Sequence, residues 1–286
     1  MKWGCTILLM VALFLLPACA QPEPTPSSPP LAPSLPDNSL PEPATEAGAK
    51  SRLTIVYDNN EHDSRLETKW GFSCLVEGFE KTVLFDTGAD SATLLSNMKK
   101  LKIDPAEVDA IVLSHIHGDH VGGLSGFLEE NSDIIVYLPK SFPGSFKDRV
   151  RSFGAQVEEI SEAKELFAGM YTTGELGNGI KEQSLIVTSS QGLVVITGCA
   201  HPGVVNIVRK AEEMMAEKPI YLVIGGFHLA GAATPQIESV IEGFRQLAVR
   251  KVAPCHCSGD ETRKLFREEY GEIYIDSGAG KIITLP

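Results

Sequence analysis

The sequence predicts a layered α/β domain, and three observations indicate this fold class. Short runs rich in β-branched residues, which favour strands, recur in both halves of the chain from residue 52 onward. Segments with apolar residues at helical spacing lie between these runs in each half. Because a sheet must bury its apolar face against another layer, this alternation favours sheets covered by helices. The two halves share the pattern, although no sequence repeat accompanies it.

The strands follow in chain order from their β-branched and aromatic content. They are predicted at 53–57, 72–77, 82–86, 110–114, 133–138, 184–189, 192–198, 219–225, 251–255 and 282–285. Helices are predicted over 92–101, from Asp119 onward, over 202–215 and over 235–249. The last two begin with Pro202 and Pro235, because proline lacks an N–H that would find no partner in the first turn.

The first 20 residues predict an export signal. Lys2 precedes an apolar run at 6–16, which has the length of a signal peptide rather than of a membrane span. Leu-Pro-Ala-Cys at 16–19 resembles a bacterial lipobox, in which Cys19 is lipidated, whereas Ala-Cys-Ala at 18–20 fits ordinary signal cleavage. We favour the lipoprotein, with a soluble secreted protein as the alternative.

Residues 21–50 predict an extended tether. They contain nine of the chain's 18 prolines and no aromatic residue, so they cannot bury enough apolar surface to fold. Such a spacer would hold a domain at 51–286 clear of a membrane to which Cys19 is attached. A plain disordered leader is the alternative. The predicted location is therefore the bacterial cell envelope, with the domain facing the periplasm or the exterior.

Charge and composition narrow the expected partners. A formal net charge of -12 argues against nucleic acid, because affinity for it rests largely on Lys and Arg that neutralise phosphates. We expect a small-molecule substrate, with a phosphorylated compound as one option, and membrane contact only through the lipid anchor. No segment after residue 20 is apolar for long enough to span a bilayer. Nothing in the sequence predicts an oligomeric state.

Four cysteines, Cys74, Cys199, Cys255 and Cys257, lie outside the predicted signal. Their spacing does not resemble a disulfide framework, so we predict small buried core residues. Ligation of a metal by the thiolates of the last three is the lesser alternative.

Six of the seven histidines lie in four segments that each follow an apolar, strand-like run. Strand-end loops carry the functional groups of α/β scaffolds, so we expect these segments to form one site. Imidazole and carboxylate are the ligands that zinc-like ions prefer. In Ser-His-Ile-His-Gly-Asp-His, His115 and His117 can bind one ion, while Asp119 and His120 can face a second. The other three are His201, His228 and His256.

The histidine-rich segment at 114–123 resembles the HxHxDH signature of the metallo-β-lactamase superfamily. The segment 83–90 is similar to the strand and Asp-Thr-Gly loop that precede that signature. Motifs at 56–60, 71–77, 196–208, 225–229 and 255–259 resemble the branch that contains the archaeal enzyme joining a dihydropterin to ribofuranosylaminobenzene phosphate. The resemblance covers about residues 52–286. It implies an αβ/βα four-layer sandwich with the metal site at one edge of the two sheets.

The resemblance also implies a ligand set for one or two ions of zinc or a similar divalent metal, and we predict two ions per chain. Asp86 would support a ligand histidine from behind. Cys199 departs from the pattern, because many hydrolases of the superfamily have a bridging aspartate at this position. The implied ligands are His115, His117 and His201 for the first metal, and Asp119, His120 and His256 for the second.

Four residues are further candidates for catalysis or substrate binding. Asp119 would orient a nucleophile or take its proton. His228 lies outside the implied ligand set, so we predict a substrate or proton role for it, with ligation as the alternative. Asn59 and Ser258 are candidate substrate contacts near the mouth of the site.

The predicted function is that of an exported, metal-dependent hydrolase. A metal ion lowers the pKa of bound water from 15.7 to about 7, so hydroxide is available to attack an ester, phosphoester or related bond. A transferase resembling the synthase of this branch is one alternative. A metal-binding protein of the envelope that has no catalytic activity is the other.

Overall fold

The computed structural model describes residues 50–286. The predicted export signal, Cys19 and all but the last residue of the predicted tether lie outside these described residues. Within them, no helix has both the length and the apolar character needed to cross a bilayer.

The described residues form two mixed β-sheets, one built from the N-terminal strands together with the last strand of the chain and the other from the strands between them. The first sheet has seven strands in the order β13-β1-β2-β3-β4-β5-β6, and the second has six in the order β12-β11-β10-β9-β8-β7. The strands are β1 (Arg52–Tyr57), β2 (Ser73–Glu77), β3 (Val83–Phe85), β4 (Ala110–Val112), β5 (Ile135–Pro139), β6 (Gln156–Ile160), β7 (Lys164–Phe167), β8 (Met170–Thr172), β9 (Leu185–Ser189), β10 (Gly192–Thr197), β11 (Ile220–Gly226), β12 (Lys251–Cys255) and β13 (Ile282–Thr284).

Helices from each half of the described chain cover the outer face of that half's sheet. The helices are α1 (Ser91–Leu101), α2 (Gly118–Val121), α3 (Leu124–Glu130), α4 (Gly144–Ser152), α5 (Val204–Met214), α6 (Thr234–Gln246) and α7 (Asp260–Tyr270). Short 3₁₀ turns lie at 105–107, 256–258 and 271–273.

Three apolar clusters separate the four layers. One lies between the two sheets, where Val112 of β4 and Ile196 of β10 belong to the same cluster. Ile111 of β4 belongs instead to the cluster under α1 and α3, because successive residues of a strand point to opposite faces. The third cluster joins the second sheet to α5, α6 and α7. The predicted αβ/βα sandwich is therefore confirmed.

Several helices begin or end at residues other than the predicted ones. The helix predicted from Pro202 begins at Val204, because Gly203 before it has a left-handed backbone (φ 90°) that no helix contains. The helix predicted from Asp119 is split into α2 and α3. Pro235 lies in the first turn of α6, in agreement with the prediction. Helix α4 and strands β6 to β8 had not been predicted.

The topology places the four histidine-bearing segments at one edge of the sandwich. Strands β10, β11 and β12 run parallel to one another, and β4 runs parallel to β3 in the other sheet. The carboxyl ends of β4, β10, β11 and β12 each lead directly into one of these segments. Parallel strands end at a common edge, so residues far apart in sequence meet there.

Candidate metal centre

The first ligand group consists of His115 and His117, which follow β4, and His201, which follows β10. His117 Nδ1 lies 3.1 Å from His115 Nε2 and 3.2 Å from His201 Nε2. The three nitrogen atoms all lie within 4.8 Å of one another. His115 is buried, whereas His117 and His201 are partly exposed. Three nitrogen atoms that converge from two sheets form a compact donor set.

The second ligand group consists of Asp119, His120, Cys199 and His256, and it is more deeply buried. Cys199 Sγ lies 3.2 Å from His120 Nε2 and 3.4 Å from His256 Nε2. The carboxylate of Asp119 lies 3.3 Å from His256 Nε2 and 3.6 Å from His120 Nε2. Here too the four donor atoms lie within 4.8 Å of one another. The thiol occupies the position for which the resemblance leads us to expect a bridging carboxylate.

The protonation of the first ligand group suits metal binding. Burial lowers the pKa of His115 far below its ordinary value, and the neighbouring histidines lower it further. Burial and the charge of His228 lower the pKa of His201 to about 4. Both imidazoles are therefore neutral near pH 7, and a neutral imidazole has the lone pair that a metal needs. Nitrogen, thiol and carboxylate donors together fit a divalent ion such as zinc.

Asp86 supports His120 from behind the second ligand group. Its fully buried carboxylate lies 2.7 Å from His120 Nδ1 and accepts hydrogen bonds from the main-chain N and Oγ of Ser114, both at 2.7 Å. A carboxylate can only accept, so His120 Nδ1 carries the proton and Nε2 presents its lone pair towards Cys199. This is the position in which the resemblance places a supporting aspartate.

The loop after β1 supports His256 in the same manner. Asn59 Oδ1 lies 2.9 Å from His256 Nδ1, and Asn59 Nδ2 donates to the carbonyl oxygen of His256 at 3.2 Å. The main-chain N–H of His256 donates to the buried carboxylate of Asp58 at 3.1 Å. Asn59 therefore orients a candidate ligand. Its predicted contact with a substrate stays a prediction, because the side chain is only partly buried.

Ser258, predicted as a substrate contact, is held by the main chain. Its side chain is fully buried. The hydroxyl donates to the carbonyl oxygen of Cys255 at 2.7 Å and accepts from the main-chain N–H of Phe227 at 3.1 Å. With both partners in the main chain, Ser258 fixes the turn that carries His256.

Glu182, which the sequence analysis did not identify, holds the loop after β10. Its fully buried carboxylate accepts three main-chain N–H groups, from Cys199 at 3.0 Å, Ala200 at 2.8 Å and His201 at 2.8 Å. Burial raises the pKa of Glu182 to about 7, against the main-chain hydrogen bonds that lower it. A single acidic residue just before a strand gives no sequence signal for such a role.

His228 lies at the exposed side of the site, beside the first ligand group. Its ring centroid is 4.3 Å from that of His201. A ring nitrogen of His228, a ring nitrogen of His201 and Cys199 Sγ lie within 4.8 Å of one another, so these three residues form a further group that could hold an ion. A hydrogen bond with Cys257 raises the pKa of His228. The structure therefore accommodates both the predicted proton role and ligation.

Left-handed backbone conformations are concentrated at the site. Asp86, Ala200, His228 and His256 have φ between 48° and 63°. Such conformations are uncommon outside glycine and persist only where the surrounding structure enforces them. The loops that carry the candidate ligands are therefore held in specific, strained conformations.

Comparison with known proteins identifies the family. Residues 71–213 match the sequence profile of the Metallo-beta-lactamase superfamily. This chain belongs to the metallo-β-lactamase superfamily. A superfamily relative, the 7,8-dihydropterin-6-methyl-4-(beta-D-ribofuranosyl)-aminobenzene-5'-phosphate synthase of Methanocaldococcus jannaschii, is 31% identical over 278 residues. The alignment covers 80% of this chain and 95% of that synthase.

Two other known proteins match different shares of this chain. A solved structure described as a metal-dependent hydrolase of the beta-lactamase superfamily is 29% identical, with a TM-score of 0.70, and covers 82% of this chain and 99% of that chain. Ribonuclease Z of Nanoarchaeum equitans is 31% identical over 111 residues, which are 35% of this chain and 34% of that enzyme. The first similarity extends over the whole described domain, whereas the second is confined to about a third of the chain.

Proposed function

We propose that this chain is a metal-dependent hydrolase that cleaves an ester, phosphoester or related bond of a small molecule. The observation that carries the proposal is the pair of adjacent ligand groups, one buried and one partly exposed, at a single edge of the sandwich. A solved hydrolase of the same superfamily, 29% identical over nearly its whole length, supports it. When bound, a divalent ion supplies Lewis acidity and lowers the pKa of coordinated water from 15.7 to about 7.

Asp119 is assigned to ligation and to orientation of the nucleophile. Burial raises its pKa, but the hydrogen bond with His256 and the charge of His120 outweigh burial and lower the pKa overall. Asp119 is therefore a carboxylate at neutral pH. It can ligate an ion or accept a hydrogen bond that fixes the attacking group.

His228 is assigned to proton donation or to binding of an anionic group. Its hydrogen bond with Cys257 raises its pKa, which favours the protonated form. The side chain is exposed, so it can reach a substrate that lies over the first ligand group. A protonated imidazole at this position can give its proton to a leaving group.

A transferase is the second candidate function, favoured by one observation. The similar synthase from Methanocaldococcus jannaschii is matched over 95% of its length, so its fold and this one extend over the same region. An enzyme that joins two substrates needs a binding region for each of them. Condensation of a dihydropterin with an aminobenzene ribosyl phosphate, without hydrolysis of other bonds, would favour this alternative.

The location and the metal are further parts of the proposal. The N-terminal sequence supports export to the bacterial cell envelope with lipid on Cys19, and secretion in soluble form is the alternative. The donor set supports zinc or a similar ion, two per chain. Mass spectrometry of the native protein tests the lipid, and elemental analysis of the purified chain tests the metal.

The deciding experiment is a substrate panel with the zinc-loaded full chain. The panel contains p-nitrophenyl acetate, p-nitrophenyl phosphate, bis-p-nitrophenyl phosphate and a lactone, each assayed before and after chelation and re-addition of zinc. We expect metal-dependent turnover of at least one class. Stoichiometric metal with no turnover of any probe would overturn the hydrolase and support a metal-binding protein without catalytic activity.

A further inference from the structure

The largest exposed apolar side chain of the described domain lies beside the candidate metal centre. Trp70 is 54% exposed, more than the other large apolar residues that reach the surface, Ile273 and Ile282. The chain has only two tryptophans, and the other, Trp3, lies in the predicted export signal. A single exposed apolar side chain is normal on a protein surface, so what singles out Trp70 is its place beside the candidate metal centre.

The Trp70 indole is in contact with the second ligand group. Its ring centroid lies 5.0 Å from that of His256, with the two planes tilted by 55°. His256 Nε2 in turn lies 3.3 Å from the carboxylate of Asp119. A molecule bound at this ligand group would therefore have the exposed indole directly next to it.

The main chain around Trp70 is fixed, so the exposure does not come from a loose end. The N–H of Lys69 donates to the carbonyl oxygen of Asp58 at 3.3 Å, and that of Phe72 donates to the carbonyl oxygen of Asp119 at 3.2 Å. A Cβ at Gly71 would lie 2.7 Å from that oxygen of Asp119, and its φ of 148° is one that glycine accepts most readily. The main chain at Gly71 and Phe72 therefore packs directly against the loop that carries Asp119.

The neighbouring charge does not turn this surface into an anion site. The ammonium group of Lys69 lies 3.2 Å from the carboxylate of Asp90, so its charge is already paired. The remaining feature of the surface is a flat, polarisable indole. Indoles bind planar rings by stacking, and the strength of this contact depends little on the chemical identity of the ring.

We infer that Trp70 forms a subsite that stacks a planar aromatic or heteroaromatic ring of the substrate, close to the bond that is cleaved. The inference rests on the proposed function and narrows its substrate class to aryl or heteroaryl compounds. The ring would cover the exposed indole while the reacting group lies over the ligand groups. Aliphatic substrates of the same reaction class would lack this contact.

A pair of matched probes tests the subsite by binding alone. Phenylphosphonate and methylphosphonate are titrated into the zinc-loaded full chain by calorimetry. We expect phenylphosphonate to bind at least about tenfold more tightly. Trp70→Ala should reduce that ratio to about twofold, and Trp70→Phe should keep it within about threefold of the native value. Ile273→Ala, which removes another exposed apolar side chain, is the control and should leave the ratio unchanged.

The subsite is overturned if both probes bind equally, if neither binds, or if Trp70→Ala leaves the ratio as it was while zinc content is normal.

A kinetic experiment distinguishes failure of the subsite from failure of the proposed hydrolase. Turnover of phenyl phosphate and of methyl phosphate is measured in native and Trp70→Ala protein. Comparing the phenyl-to-methyl ratio between the two proteins cancels the intrinsic reactivity of the two leaving groups. An aromatic preference in binding with no turnover overturns the hydrolase and supports the subsite. Turnover whose phenyl-to-methyl ratio is the same in both proteins supports the hydrolase and overturns the subsite.

Discussion

The two ligand groups differ in exposure and in the support behind them. In the first ligand group, His117 and His201 are partly exposed, and no carboxylate or amide among residues 50–286 lies behind either ring. His115 has only the hydroxyl of Ser114 behind it, 2.9 Å from its Nδ1. In the second ligand group, His120 is held by Asp86 and His256 by Asn59, each through the ring nitrogen that faces away from the donor atoms. Supporting partners fix the orientation of a ligand before a metal arrives. The second ligand group is thus pre-organised, and the first lies where a substrate can reach.

Loss of a ligand in the first group is the largest effect that we expect. His117→Ala removes the one ring that lies within 3.2 Å of both other members. We expect tight binding at the first ligand group to be lost, with turnover reduced at least about 1,000-fold. The second ligand group should still bind about one ion per chain by elemental analysis.

His62→Ala is the control for this experiment. His62 is exposed and is the only histidine outside the four segments, so its removal should change neither metal content nor turnover. Loss of both ions in His117→Ala would contradict the comparison, because it would make the two groups one interdependent unit.

Removal of one supporting carboxylate gives the intermediate effect. Asp86→Asn keeps the size of the side chain and tolerates the left-handed backbone of this position, but it takes away the charge next to His120. We expect about 10- to 100-fold weaker binding at the second ligand group and less than about threefold change at the first. Zinc titration calorimetry measures both. The exposed Asp148→Asn should change neither, and equal weakening of the two groups would refute the assignment.

The pH dependence of metal affinity is the smallest predicted effect. Burial opposes protonation of His120, but the charge of Asp86 and its hydrogen bond raise the pKa of this ring. A proton on His120 therefore competes with the metal, and the competition grows as the pH falls. Between pH 7.5 and 6.5 we expect the second ligand group to lose roughly 3- to 10-fold in affinity.

The first ligand group should lose less than about threefold over the same interval. The pKa values of His115 and His201 are lowered, so both rings stay neutral there. Zinc titrations of His117→Ala and His256→Ala at each pH report one group at a time. A steeper decline in the first ligand group would reverse the proposed order of protonation.

Much of the fold could be predicted because its buried strands leave clear patterns. Strand β12 was predicted with its observed limits, and β1, β10, β11 and α1 differ by one residue at one or both ends. Strands β6 and β7 lie at sheet edges and are rich in charged residues, so no apolar run marks them. Patterns of burial predict central strands better than edges for this reason.

The candidate ligands and one of their supports, Asp86, could be predicted, whereas the supporting roles of Glu182 and Asn59 could not. Histidine after a strand is a local signal, and all six of these residues meet at one edge. Glu182 and Asn59 act across 17 or more residues of sequence, through contacts that only the folded chain creates. The main-chain contacts of Ser258 were missed for the same reason, since the direction of a side chain depends on its three-dimensional neighbours.

The origin of the ligands has a consequence for where the protein acquires its metal. Each ligand group draws on both sheets, with donors after β4 or on α2 from one and donors after β10 or β12 from the other. Neither half of the domain alone can complete a donor set, so the metal affinity arises only when the two halves have docked. If the proposed export precedes folding, the ion must come from the compartment outside the cytoplasmic membrane. The metal content of the protein would then follow the supply of that compartment rather than the regulated pool of the cytosol.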